Sequence, residues 1–88
     1  MDIRGLESFI SVAEHRSFTK AANACFITQT AMSLRIAKLE KELQFKLFWR
    51  NHRSVTLTPG GRVFLEEARR LVARYEDAVH RSRGASLD

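Results

Sequence analysis

The sequence predicts a mainly α-helical protein, with four helices and a two-stranded hairpin between the third and the fourth. Three observations predict this class. Apolar residues recur at helical spacing through four segments of the chain. A typical helix-capping residue precedes each segment: Asp2, Ser17, Thr28 and Thr58. The run 44–57, rich in aromatic and β-branched residues, interrupts the helical spacing.

Size and charge restrict the class of protein further. The 88 residues suit one domain, and the formal net charge is +5. Residues 1–58 hold nine Lys and Arg against five Asp and Glu, a balance of +4, whereas residues 59–88 hold six against five, a balance of +1. The excess of positive charge indicates a polyanionic partner. No window approaches the roughly 18 apolar residues of a membrane span, and the single cysteine, Cys25, excludes an intrachain disulfide and suits a reducing compartment.

The first helix is predicted over 2–16, with Asp2 as its N-cap. Ile3, Leu6 and Phe9 fall on one side of it, so we expect this helix to be a scaffold that packs on the next two.

The next two helices are short and closely linked. Ser17 caps a helix over 18–24, a tight turn follows at 25–27, and Thr28 caps the third helix. The third helix carries a single apolar stripe: Met32, Ile36, Leu39 and Leu43.

The other face of the third helix carries short hydrogen-bonding groups first and cations later. A helix that is buried on one side and carries small polar residues in its first turns can fit a DNA major groove. The predicted base contacts in the major groove are Gln29, Thr30, Ser33 and Leu34. Leu34 has two interpretations, a contact with a thymine methyl group or an incidental exposed leucine.

Phosphate contacts are predicted from polar and cationic residues near this face. They are Thr19, Lys20, Arg35, Lys38 and Arg50. Helix N-termini bind anions through free backbone N–H groups, which favours Thr19 and Lys20. The alternative is that these are ordinary exposed side chains.

The hairpin is predicted from the runs 47–50 and 55–57, which flank a polar turn at 51–54. Such a hairpin is a wing that can straddle the DNA backbone. Arg53 lies at its tip and is the predicted minor-groove contact, because narrow minor grooves attract arginine. A solvated hairpin arginine is the alternative.

The last helix is predicted from Pro59 to Arg83, with Thr58 as its N-cap. Its apolar residues outrun what so small a domain can cover, which predicts pairing with a second copy; a different protein is the alternative partner. The predicted dimerisation residues are Leu65, Ala68, Leu71, Val72, Tyr75, Ala78 and Val79. Residues 84–88 are interpreted as a hinge or a cut end.

Over residues 1 to about 82, the motifs of this chain resemble the N-terminal DNA-binding region of LysR-type transcriptional regulators. The first helix carries Leu6, Phe9, Val12 and Ala13, and the second begins Ser17-Phe18-Thr19-Lys20-Ala21-Ala22. The third helix carries Thr28-Gln29, Ala31-Met32-Ser33, Ile36 and Leu39-Glu40. Leu43 follows at the end of the third helix, and the wing and last helix carry Leu47-Phe48, Arg50 and Leu57-Thr58-Pro59-Gly60-Gly61. Two positions depart from the family pattern: Thr30 stands where a proline is common, and Leu34 where an arginine is frequent.

The resemblance implies a winged helix-turn-helix over 1–58 and a linker helix over 59–83 through which two subunits pair antiparallel. It also implies a cytoplasmic, nucleoid-associated bacterial or archaeal regulator that reads an operator with dyad character and usually forms tetramers. Members of the family carry a C-terminal effector-binding domain, which is absent from this sequence. A small-molecule inducer would bind that missing domain, and no cofactor is expected in this chain.

The sequence therefore predicts specific binding of double-stranded DNA by a homodimer that regulates transcription. An enzyme is not expected, because the chain has no glycine-rich phosphate loop, metal-ligand spacing or nucleophile elbow. Two rivals remain, a helical protein-interaction module and a non-specific nucleoid-type DNA binder.

Overall fold

A computed structural model describes residues 1–51 and 54–87, and it is a winged helix-turn-helix with a long additional helix. The helices and strands in these two ranges are α1 (Ile3–His15), α2 (Phe18–Ala24), α3 (Gln29–Leu43), β1 (Phe48–Arg50), β2 (Val55–Leu57) and α4 (Pro59–Ser86). The predicted fold class is confirmed.

Each helix begins at its predicted cap. The caps, in chain order, are Asp2, Ser17, Thr28 and Thr58, and the side chain of each accepts a hydrogen bond from a backbone N–H three residues later. The N–H of Gly5 donates to Asp2 at 2.8 Å and thereby lowers the pKa of that carboxyl group. Because this pKa is lowered on folding, the contribution of Asp2 to stability is present above the ordinary carboxyl pKa and is lost as the pH falls.

The core lies where α1, α2 and α3 meet the start of the wing and the first turns of α4. Phe9 of α1 is fully buried at its centre. The ring of Phe9 lies 5.5 Å from that of Phe48 in an edge-to-face arrangement and 5.8 Å from that of Phe64. Aromatic pairs of this geometry contribute beyond their buried area. One aromatic cluster thus joins the helix-turn-helix, the wing and α4.

The wing is an antiparallel pair in which Phe48 lies opposite Leu57, Trp49 opposite Thr56 and Arg50 opposite Val55. Its first strand begins one residue after the predicted start at Leu47, and the N–H of Leu47 donates to the Glu40 carboxylate. The predicted minor-groove residue, Arg53, lies outside the described residues, as does His52.

The fourth helix is fixed to the wing at its first turn. The hydroxyl of Thr58 donates to the carbonyl of Lys46 at 2.6 Å and accepts from the N–H of Gly61 at 2.9 Å. A Cβ atom at Gly61 would lie 2.1 Å from the carbonyl oxygen of Leu47, so only glycine permits this approach. The helix continues through Gly84 to Ser86, three residues beyond its predicted end at Arg83. The interpretation of 84–88 as a hinge or a cut end stays a prediction.

The turn between α2 and α3 contains an aromatic residue with left-handed backbone. The N–H of Ile27 donates to the carbonyl of Ala22 and that of Phe26 to Asn23, a Schellman motif with Phe26 at its left-handed position. Phe26 has φ 59° and a side chain that is 93% exposed. The left-handed conformation costs a residue with a Cβ about 1–2 kcal/mol, and the exposed ring returns little through burial.

We expect Phe26→Gly to raise the free energy of unfolding by about 0.5–1 kcal/mol, because glycine adopts positive φ without strain but gains entropy in the unfolded chain. Phe26→Ala is the matched control. It removes the ring and keeps the Cβ, so its stability should match the wild type. Urea denaturation at one protein concentration measures both. Equal stabilisation by the two variants would show that the ring, and not the backbone, is the source of strain.

Candidate nucleic-acid interface

The third helix exposes the face that the sequence predicts. Met32 and Ile36 are fully buried, and the side chains on the opposite face lie at the surface. Gln29 and Thr30 are exposed in its first turn, whereas Ser33 is half-buried on one flank. The face is therefore free of the subunit's own core, as a helix that enters a groove requires.

Three elements converge beside this face and form a depression. The N-terminus of α2, the first turns of α3 and the wing line it together. Five of the residues predicted from sequence meet there: Thr19, Lys20, Gln29, Ser33 and Arg50. Arg16, Asn51 and Ser54 join them. This surface, called the α2–α3–wing depression below, combines neutral hydrogen-bonding groups with cations.

Two predicted phosphate contacts lie elsewhere. Arg35 and Lys38 border a different depression, between α3 and the N-terminus of α1. The guanidinium of Arg35 donates to the hydroxyl of Ser8 at 3.1 Å, and Ser8 is 1% exposed. Arg35 is thus half-buried and bonded to its own chain, while Lys38 is exposed.

A buried carboxylate, which the sequence analysis did not assign, joins α3 to the wing. Glu40 is 5% exposed. One of its oxygens accepts the N–H of Leu47 at 2.7 Å, and the N–H of Phe48 lies 3.4 Å from the same atom. The other oxygen lies 3.7 Å from the guanidinium of Arg50 and 3.9 Å from the ammonium of Lys46. Glu40 falls at the edge of the apolar stripe of α3, and this placement is the signal that could have identified it.

The cation of Arg50 is held from two sides. Its guanidinium carbon lies 4.4 Å from the centre of the Phe18 ring, which is a cation–π geometry. The guanidinium also pairs with the carboxylate of Glu40. The side chain remains 41% exposed at the rim of the α2–α3–wing depression. Arg50 therefore presents an oriented positive charge to whatever occupies that depression.

The predicted dimerisation residues divide into three groups along α4. Leu71 and Tyr75 are about half exposed, at 47% and 50%, and Ala78 is exposed. Leu65, Val72 and Val79 are partly buried. Ala68 is 0% exposed inside its own subunit. Its methyl group has no surface left for a second copy, which corrects its inclusion in the pairing face.

The parts of the chain that the structure describes bear on metal binding, on membrane spanning and on the chemistry of the single cysteine. In residues 1–51 and 54–87, no three His, Cys, Asp or Glu side chains are grouped as metal ligands. None of the helices described is both long and apolar enough to cross a membrane. Cys25 is half-buried and packs against the core.

Comparison with known proteins points to one family. Residues 3–62 match the model of the bacterial regulatory helix-turn-helix proteins of the lysR family. The chain is 46% identical over 79 residues to YcgK, an uncharacterized HTH-type transcriptional regulator of Bacillus subtilis, covering 90% of this chain and 24% of that protein. It is 41% identical over 86 residues to TfdT, an HTH-type transcriptional regulator of Cupriavidus pinatubonensis, covering 98% and 38%. The chain thus spans well under half the length of either relative.

Solved structures of similar fold include complexes with DNA. The chain superposes on the CbnR DBD–DNA complex with a TM-score of 0.93 and 36% identity, covering 98% of this chain and 99% of that one. It superposes on Vibrio fischeri DarR in complex with DNA with a TM-score of 0.96 and 32% identity, covering 99% of this chain and 30% of that one.

The buried carboxylate yields a stability prediction. Glu40→Gln retains an oxygen for the Leu47 N–H but removes the charge that faces Arg50 and Lys46. We expect the free energy of unfolding to fall by about 1–2 kcal/mol. Hydrogen bonds and ion pairs to a charged, buried acceptor contribute more to stability than hydrogen bonds to a neutral one. The control is Glu14→Gln, which removes an exposed pair with Arg69 at 3.5 Å and should cost under about 0.5 kcal/mol. Equal losses in urea denaturation would contradict the special role of Glu40.

Proposed function

Because the chain belongs to the LysR family of bacterial regulatory helix-turn-helix proteins, we propose that it binds double-stranded DNA sequence-specifically as a homodimer and so regulates transcription. The observation that carries the proposal is the α2–α3–wing depression, where exposed amide and hydroxyl groups lie beside oriented cations. Base edges are read by such neutral groups, and phosphates are neutralised by such cations. The DNA complexes of CbnR and DarR, which share this fold, support it.

In this proposal α3 enters the major groove. Gln29, Thr30 and Ser33 of its first turns contact base edges, with Leu34 beside them. The groove is about 12 Å wide and admits one α-helix, and each base pair presents a distinct pattern of donors and acceptors there. Amide side chains suit adenine, whereas hydroxyl groups tolerate several bases.

Phosphate contacts supply affinity without sequence information. Thr19 and Lys20 at the start of α2 and Arg50 of the wing lie in one depression and are assigned to one stretch of backbone. Lys38 is assigned to the other side of α3. Arg35 is a weaker candidate, because its hydrogen bond to Ser8 would have to break or be shared. Arg53, at the tip of the wing, remains the prediction for the minor groove.

Pairing of two copies is assigned to α4. Beyond the core, Leu71, Tyr75 and Ala78 recur at spacings of four and three and form an uncovered apolar strip. Burial of such a strip against a second copy removes apolar surface from water and stabilises the pair. A dimer has two α3 helices, so the operator is expected to have dyad character.

The wider roles of the family complete the proposal. We assign the chain to a bacterial cytoplasmic regulator, associated with the nucleoid, whose full-length form assembles as a tetramer. A small-molecule inducer would act through an effector-binding domain outside this sequence. A DNA-binding function is proposed in place of an enzymatic one, in agreement with the transcriptional regulators among its relatives.

Fluorescence anisotropy with labelled duplexes tests the function. Mixed genomic fragments at two salt concentrations separate DNA binding from a helical protein-interaction module, because only DNA binding gives a signal that weakens with salt. Selection of bound duplexes from a random library then separates an operator-specific regulator from a non-specific nucleoid-type binder. Recovery of a symmetric sequence supports the proposal, and the absence of any preferred sequence contradicts it.

Base reading predicts a selective loss of affinity. Gln29→Ala and Ser33→Ala should each weaken binding to the selected operator by about 1–3 kcal/mol and change binding to random DNA little. Glu66→Ala, an exposed change on α4, is the control and should leave both affinities as in the wild type. Equal weakening on operator and random DNA would remove these two residues from base recognition.

The apolar strip of Leu71, Tyr75 and Ala78 on α4 gives a prediction about the oligomeric state. Leu71→Glu places a charge in the apolar strip, and burial of an unpaired charge is strongly unfavourable, so sedimentation equilibrium should detect a monomer. Because Leu71 is 47% exposed, the fold of each subunit should persist in circular dichroism. The control is His80→Glu, about 180° around the helix from Leu71, which should remain a dimer. A dimer that survives Leu71→Glu would exclude this face.

A further inference from the structure

One large apolar side chain on α3 lies outside the core. Leu34 is 67% exposed, whereas Met32 and Ile36, two residues before and after it, are fully buried. A helix turns about 100° per residue, so Leu34 lies about 200° from each of them and points away from the core. Leu34 lies outside the α2–α3–wing depression and borders the depression between α3 and the N-terminus of α1, on the outward face of the helix that the proposed function brings to DNA.

The exposed neighbours of Leu34 one turn away on α3 are Thr30, Ala37 and the cation Lys38. One turn before it lies Thr30, and one turn after it lies Ala37, both exposed. The cations Lys38 and Lys41 follow towards the C-terminus of the helix, and Arg35 is turned away towards Ser8. Thr30, Leu34 and Ala37 thus place methyl groups on successive turns of α3, called the methyl strip below, and Lys38 lies beside them, four residues after Leu34.

The chemistry of the major groove restricts what this strip can face. Guanine, cytosine and adenine present only donors and acceptors there, and thymine adds its 5-methyl group. A leucine placed against a base donor or acceptor displaces water without replacing the hydrogen bond, which is unfavourable. Placed against the thymine methyl, it buries apolar surface on both partners. Only one base therefore gains from contact with Leu34.

We propose that Leu34 is a specificity-determining residue that selects thymine, through its 5-methyl group, at the base pair it faces in each half of the operator. This inference rests on the proposed function, since it requires α3 to lie in the major groove. It adds the chemical class of one operator position, a 5-methylpyrimidine, and the side chain that reads it.

Replacement of thymine by deoxyuridine tests the proposal, because it exchanges only the methyl group for hydrogen. The duplex is the operator selected with the wild-type chain, in which each thymine of a half-site is replaced in turn. At one position the wild type should lose about fourfold in affinity for each half-site, the value of one buried methyl-sized group. Leu34→Ala should bind the thymine and uracil duplexes equally at that position.

Two further variants locate the effect. Lys20→Ala, a predicted phosphate contact on α2 in the other depression, is the control: it should weaken binding to every duplex and keep the fourfold preference for thymine. Leu34→Arg should move the preference at the same position towards guanine, since arginine pairs with guanine through two hydrogen bonds. Circular dichroism verifies that Leu34→Ala is folded.

The outcomes separate the inference from the function. A wild type that binds its operator with no sensitivity to uracil overturns the role of Leu34 and leaves operator binding intact. Sensitivity that persists in Leu34→Ala also overturns it and moves the methyl contact to Thr30 or Ala37. If no preferred operator is recovered, the proposed function and the inference both fall.

Discussion

The fold depends on the burial of one carboxylate at the end of α3. Glu40 accepts the backbone N–H of Leu47, the last residue before the wing, and pairs with Arg50 of the first strand. A two-stranded hairpin is marginally stable by itself, so it needs an external support. Glu40 supplies this support from α3, the helix beside the wing. This charge-assisted contact acts together with the aromatic contacts of Phe48 to fix the wing beside α3.

The same contact connects the core with the interface. Arg50 lies over the ring of Phe18, and Phe18 packs edge-to-face on Phe48 with ring centres 5.8 Å apart. The cation at the rim of the α2–α3–wing depression is thus held by buried aromatic and acidic groups. Preorganisation of this kind reduces the entropy lost when a charged side chain is immobilised on a partner. The charge of Arg50 is thus anchored in the same cluster that stabilises the subunit.

The fourth helix packs on the core in its first turns and exposes apolar side chains farther along. Its first turns belong to the subunit: Phe64 stacks on Phe9, and Ala68 is fully buried. Beyond them the helix extends past the domain, and Leu71 and Tyr75 remain about half exposed. A small domain buries a limited fraction of its apolar surface, and the later turns of α4 extend beyond the part of the domain that could cover them. The close approach at Gly61 sets the direction in which it leaves the core.

The sequence by itself determined the local features of this protein, because they rest on residues within about four positions of one another. Capping residues such as Thr28 and the spacing of apolar residues predicted where each helix begins, and the outward face of α3 followed from the helical repeat. Only the tertiary structure decided which side chains became internal. Glu40 is buried, Arg35 is bonded to Ser8, and Ala68 belongs to the core and not to the face that the sequence predicts for pairing. These contacts join residues distant in sequence, and they exist only once particular faces of the helices have met.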